Sequence, residues 1–191
     1  QDVLAGIWRR LEISAEQRED LPIAALCSTL DTLFPESSPG PDWQKLACAL
    51  AARSAFSIVT GGPGTGKTTT VVRLLALLQS LALDKPAEAR PLRIRLAAPT
   101  GKAAARLNES IAGAVAKLPL AGLPNGEAVR SSIPVVVTTL HRLLGSRPDT
   151  RHFRHHIGNP LALDVLVVDE ASMVDLEMMA AVLAALPSSA R

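Results

Sequence analysis

The chain has 191 residues, 48% of them apolar and 20% charged, a globular composition that excludes general disorder and gives room for one α/β domain with a small appendage. No apolar run approaches the ~18–20 residues of a membrane span, and no basic-then-apolar signal pattern opens the chain, so a soluble, cytoplasmic protein is expected. Net charge is +2 but uneven: residues 1–42 hold three Arg against eight acids, and residues 43–191 hold 17 basic against 10 acidic side chains, which is compatible with nucleic acid without identifying it.

Residues 1–34 read as helical. "AGIWRRLEI" and "LPIAALCSTLDTLF" carry apolar positions at three- and four-residue spacing, with Pro22 placed to start the second helix. The breaker cluster "PESSPGP" (35–41) is the expected boundary between a helical N-terminal segment, 1–41, and a second domain, 42–191. Beyond it, helices alternate with apolar strands. A helix near 42–54 is followed by "AFSIVT" (55–60) as a strand and a helix from Gly66 to about Leu81. "LRIRLAAPT" is the next strand, 101–117 a helix, "VVVTT" (135–139) and "DVLVVDE" (164–170) further strands, and "DLEMMAAVLAAL" a closing helix. Strands separated by helices of crossover length predict an α/β fold, a mainly parallel sheet covered by helices on both faces. Segments 118–133 and 146–160 read as loops.

Aromatics make up only 3% and Tyr is absent, so the core is expected to rest on Leu, Ala, Val and Ile. Cys27 and Cys48 lack any paired spacing and are expected to be reduced core thiols. His155 and His156 are adjacent, share no helix face and have no carboxylate at ligand spacing, so "RHFRHH" reads as a basic surface loop.

The chemistry begins at "TGGPGTGKTTT". Gly61, Gly66, Lys67 and Thr68 fit G-x-x-x-x-G-K-[ST], between an apolar segment and a helix-compatible run. Glycines let the backbone wrap a phosphate with its N–H groups inward, and the helix N-terminus adds positive potential. The candidate cradle comprises Gly61, Gly62, Pro63, Gly64, Thr65, Gly66, Lys67, Thr68 and Thr69. Lys67 is expected on the β- and γ-phosphates of ATP and Thr68 on Mg²⁺. A second carboxylate for the metal is expected from the end of another strand, and "LDVLVVDEASM" offers Asp169, with Glu170 as the base that orients the attacking water. A Glu after the Asp favours hydrolysis over phosphoryl transfer to a small acceptor. Gln44 precedes the first expected strand; its amide is either an ordinary surface group or a reader of an adenine edge.

Four stretches, "GGPGTGKTTT", "AAPTGKAAARLNESI", "TTLHRLLG" and "LDVLVVDEASMVDLEMM", occur in that order. Together they resemble superfamily 1 DNA helicases, and within them the RecD family, the alpha subunits of exodeoxyribonuclease V. The resemblance covers residues 42–191 and implies a first RecA-like motor domain. It implies that Gln44 lies near adenine and that the DNA-binding residues are Thr100, Gly101 and Lys102 of "APTGKAA" with Thr139 and His141 of "TTLHRLLG". For His141 a packed loop histidine is the alternative. It further implies ATP-driven 5′ to 3′ movement on single-stranded DNA, alongside RecB/RecC-like subunits in a repair and recombination complex.

That family pattern continues past Arg191 into a further strand and a second motor domain that supplies arginines to the γ-phosphate. The chain is therefore expected to be a fragment that binds nucleotide without unwinding DNA. Two alternatives stand beside this reading: another ATPase, such as an AAA+ loader, and a noncatalytic nucleotide-binding scaffold subunit.

Overall fold

The computed structural model describes residues 2–17, 22–35, 40–62, 64–85, 89–147 and 152–191; Pro63 and the centre of the breaker cluster, 36–39, lie outside them. The helices are α1 (Asp2–Gln17), α2 (Ile23–Leu33), α3 (Trp43–Ala52), α4 (Lys67–Leu83), α5 (Gly101–Ala116), α6 (Gly126–Ser132), α7 (Leu140–Leu144) and α8 (Leu176–Ala185). The strands are β1 (Ile94–Ala98), β2 (Val137–Thr139) and β3 (Val165–Val168). The chain divides into two compact units: Gln1–Ile13 with Arg93–Glu109 and Pro134–Arg191, and Ser14–Leu92 with Ser110–Ile133.

The first unit is built on a parallel sheet of order β2-β1-β3. β1 buries Ile94, Leu96, Ala97 and Ala98, the near-continuous apolar run that a central parallel strand requires. The start of the sheet is clamped by Arg93, whose Nε and Nη2 donate to the two Asp164 carboxylate oxygens at 3.1 and 2.9 Å. Asn108 Oδ1 of α5 accepts from Val137 N–H at 2.6 Å and fixes the entry of β2. A core of Ala97, Leu140, Leu144, Leu163, Met178 and Val182 joins the sheet to α7 and α8. Arg10 of α1 is buried and donates to the carbonyls of Leu186, Pro187 and Ala190 at 3.3, 3.1 and 2.6 Å. A cation is well placed at these carbonyls, just beyond the C-terminal end of α8. Arg191 brackets Val165: its N–H donates to Asp164 O and its carbonyl accepts from Leu166 N–H, as in a parallel ladder.

The second unit is helical, with α4 at its centre. Nine of the 17 residues of α4 are buried, including every position from Leu75 to Leu81, so that stretch faces protein all round. Gln79 lies in this stretch at 0% exposure, and its amide is fully used. Nε2 donates to Leu92 O at 3.0 Å and Ser132 O at 3.3 Å, and Oε1 accepts from Leu92 N–H at 2.8 Å. The Arg73 guanidinium stacks 4.6 Å above the buried Phe34 ring, and Arg130 of α6 donates to the carbonyls of Val115, Ala116 and Leu118 at the end of α5.

Four expectations change. Residues 55–60 form no strand: the strands all belong to the other unit, Ile58 is 75% exposed, and an apolar run without a paired neighbour stays irregular. The expected loop 118–133 contains α6, whose seven residues are too few to show helical periodicity but which buries Val129. Pro22 is the N-cap of α2 rather than its first helical residue. Cys48 is buried as expected, whereas Cys27 is exposed.

Gln79→Met keeps the side-chain volume but strands the Leu92 and Ser132 backbone groups, so unfolding stability should fall by about 3 kcal/mol in urea titrations. Burial, reinforced by Asp42 and opposed by Arg73, pushes the Cys48 thiol up from 9.0 to about 12. Between pH 9 and 12 the unfolded thiol ionises while the folded one keeps its proton, so stability falls as pH rises through that window. Cys48→Ala should remove that part of the alkaline slope, and at pH 8 native iodoacetamide labelling read by mass spectrometry should modify Cys27 and spare Cys48.

Candidate functional site

Each unit carries part of the machinery read from the sequence. In the second unit the Gly-rich loop leads into α4. Gly64 and Gly66 have φ of 76° and 79°, the left-handed region where a side chain is strained. The first helical bond runs from Thr70 N–H to Gly66 O at 2.9 Å, so the amides of Lys67, Thr68 and Thr69 precede the ladder and lack a partner within the helix. Thr65 Oγ1 donates to Gly62 O at 2.9 Å, and Lys67 Nζ donates to the Gly61 and Gly62 carbonyls at 2.6 and 2.8 Å. The lysine therefore lies along the loop's own backbone, with its head held at the loop.

α3 supports the loop from outside. Asp42 caps this helix by accepting from Lys45 N–H at 2.9 Å, and in the first turn Gln44 Nε2 donates to Thr65 O at 3.0 Å. A Cβ on Gly66 would lie 2.6 Å from that amide nitrogen, so a side chain there would displace Gln44 from the loop, and the left-handed φ of 79° favours glycine. Farther along, the Cys48 thiol donates to Thr70 O at 3.3 Å, tying α3 to the first turn of α4.

In the first unit the parallel register brings the remaining candidates to one edge. Ala98 pairs with Thr139 and Ala97 with Val168, and Asp169 N–H extends the ladder by donating to Ala97 O at 2.9 Å. The C-terminal ends of β1, β2 and β3 thus deliver Thr100, Thr139 and Asp169 together, at the edge where ligands bind in open α/β sheets. Thr100 and Thr139 both act as helix caps: their Oγ1 atoms accept from Ala103 N–H and Arg142 N–H, each at 3.2 Å. Gly101 and Lys102 are exposed on the first turn of α5.

Glu170 was identified from its place in the motif, but its conformation was not legible there. At φ 51° and ψ 41° it is the left-handed non-glycine residue among those described, and it starts the tight turn Ala171–Met173. Asp175 follows as the cap of α8, accepting from Met178 N–H at 2.7 Å. His141 is exposed and meets Phe153 edge-on, ring centroids 6.1 Å apart, beside a cavity of about 960 Å³ also lined by Arg147, His155 and Asp175. That cavity had no sequence signal beyond the histidines of the 146–160 loop.

A family model described as an AAA domain matches residues 44–191. The chain belongs to that family. It is 49% identical over 162 residues to the RecBCD enzyme subunit RecD of Haemophilus influenzae, covering 85% of this chain and 24% of the relative. It is 50% identical over 155 residues to RecD of Mycolicibacterium smegmatis, covering 80% and 26%. The ATP-dependent RecD2 DNA helicase of Deinococcus radiodurans is 39% identical over 134 residues, 70% of this chain and 14% of that protein. The resemblance to RecD subunits thus holds over most of the chain, which spans about a quarter of the length of the RecD relatives.

The left-handed backbone at Glu170 costs on the order of 1 kcal/mol for a side-chain-bearing residue. Glu170→Gly should therefore melt at or above the wild-type temperature, whereas the β-branched Glu170→Val should melt lower, with circular dichroism as the readout.

Proposed function

We propose that this chain is the nucleotide-handling part of a RecD-type, ATP-driven DNA helicase subunit, with residues 42–191 as its first RecA-like motor domain. The observation that carries the proposal is the phosphate loop: Lys67 and Thr68 head a helix whose stretch Leu75 to Leu81 is buried, with Gln44 braced on the loop. Lys67 exchanges its loop carbonyls for phosphate oxygens, and the free amides of the first turn of α4 complete the cradle. Mg²⁺ neutralises charge on the triphosphate when bound; the hydroxyl of Thr68 and the carboxylate of Asp169 are hard oxygen donors of the kind it takes. Glu170 orients water for hydrolysis.

The names of the relatives favour a helicase over a loader, and the intact Lys67 and Glu170 favour an enzyme over a scaffold. Single-stranded DNA is the proposed track. Thr100, Gly101, Lys102, Thr139 and His141 meet its backbone, since exposed helix N-terminal amides and a lysine suit phosphate. The proposal extends to partner subunits of RecB and RecC type, 5′ to 3′ movement and a cytoplasmic setting, supported by the likeness to subunits of the RecBCD enzyme. Translocation needs two domains whose closure responds to the γ-phosphate, so unwinding belongs to the longer protein and the present chain turns ATP over poorly.

Lys67→Ala should weaken ATP binding by about 10- to 100-fold through loss of charge-assisted hydrogen bonds, with an unchanged melting temperature. In a full-length protein of this type it should abolish unwinding of substrates with single-stranded tails. Unwinding that survives the substitution, or helicase-like ATP turnover by the 191-residue chain with DNA stimulation, would refute the assignment.

A further inference from the structure

We propose that the cavity beside His141 is a base pocket, in which one nucleotide of single-stranded DNA seats its base, and that it favours a base carrying an exocyclic amino group. The inference rests on the reading of Thr139 and His141 as DNA contacts and adds to that reading a contact with the base itself.

The cavity, of about 960 Å³, belongs wholly to the first unit and has the size of a small-ligand pocket. Its apolar lining includes the buried Met178 and the half-buried Phe153, both packed with the core of α7 and α8. Backbone contacts fix where Phe153 stands. The residue forms an antiparallel bridge with Ser146, and the next two N–H groups, of Arg154 and His155, donate to the carbonyls of Gly145 and Leu144, each at 3.0 Å. The Phe153 ring meets His141 edge-on at 67°, and both rings line the cavity. Flat rings beside an open space are what a base stacks on.

The polar groups of the lining choose among ligands. α8 contributes two carboxylates from its start: Asp175, held as the helix cap by Met178 N–H at 2.7 Å, and the exposed Glu177. A carboxylate accepts hydrogen bonds and donates none, so it suits the amino group of cytosine and disfavours the O4 carbonyl that thymine presents in its place. Two carboxylates also make a poor seat for a free phosphate. Arg147 and the histidines of the lining add donors. Among the described residues no three His, Cys, Asp or Glu side chains are grouped so as to hold a metal ion, which leaves an organic ligand. A nucleobase, flat, neutral and bearing both donors and acceptors, matches this mixture. His141, two residues beyond Thr139, is shared by the cavity and the proposed DNA track.

The test titrates the 191-residue chain into fluorescein-labelled oligo-dC, oligo-dT and an abasic oligomer, each of about 12 nucleotides, at neutral pH, with anisotropy as the readout. The parent should bind dC about 5-fold more tightly than dT, and the abasic oligomer about 10-fold more weakly than dC. Glu177→Gln, whose amide both donates and accepts, should bring dC and dT within about twofold of each other at an unchanged melting temperature. Phe153→Leu keeps apolar bulk without the ring; it should weaken dC toward the abasic oligomer and leave the abasic oligomer unchanged, whereas a merely structural role would weaken both alike. Equal binding of dC and dT by the parent, a preference that survives Glu177→Gln, or equal loss for all ligands with Phe153→Leu overturns the pocket. If the pocket fails while Lys102→Ala still weakens all three ligands, the DNA track stands without it. A parent chain that binds none of the three overturns track and pocket together.

Discussion

The phosphate loop keeps its shape because the helix behind it cannot slide. A helix shifts along its axis only if its side chains find new seats, and α4 presents an unbroken buried run from Leu75 to Leu81. Gln79 fixes the register further, because its three hydrogen bonds are to particular backbone groups and a shift of one residue would leave all of them unpaired inside the protein. At the other end, the Cys48 thiol and the Gln44 amide tie α3 to Thr70 and Thr65. The left-handed angles at Gly64 and Gly66 are thus imposed from both sides, by a fixed helix origin and by a braced outer peptide. On such a base the Lys67 ammonium, held by exposed loop carbonyls, can change partners at small net cost, since bonds made in water are exchanged rather than lost.

The sheet applies the same logic to its edge. Parallel pairing turns three strand ends toward one side, and the registers of β1 with β2 and β3 bring Thr139, Ala98 and Asp169 nearly level. Register is held at the opposite end by the Arg93–Asp164 pair, which is bidentate and planar, so it resists both slip and twist. Two of the functional candidates, Thr100 and Thr139, also start helices. A hydroxyl that caps a helix lies beside the free amides of its first turn, so the residue that stabilises the element also marks a place where a phosphate can be met.

Sequence patterns disclosed those elements whose cause is local. The near-continuous apolar run of β1, the apolar run of β3, the glycine spacing of the loop and the length of α4 are each written in consecutive residues, and all of them are present. Features decided by partners were hidden. Residues 55–60 have strand composition but no strand beside them in their unit, and composition cannot report a missing neighbour. α6 is set by burial of Val129 and by Arg130 reaching the end of α5, contacts made with residues outside its own seven. Cys27 and Cys48 looked equivalent as isolated apolar thiols, and their opposite fates follow from which side of α2 and α3 each occupies. The candidate residues were legible because motif spacing records chemistry. The left-handed backbone of Glu170 was not, because no residue type there demands it.

The departures from ordinary folding rules are not scattered at random. Inside the units, buried polar groups that look costly prove to be satisfied: Gln79 by three backbone groups and Arg10 by three carbonyls. The unsatisfied or strained groups lie next to the candidate residues. Glu170 holds a left-handed backbone at the end of β3, and the Thr138 hydroxyl is buried without a partner one residue before Thr139. Natural chains keep local and global preferences consistent except where function requires otherwise. Glycine at 170 or valine at 138 would each relieve the local cost. Both positions lie at the C-terminal edge of the parallel sheet, where the motifs place candidate residues on separate grounds.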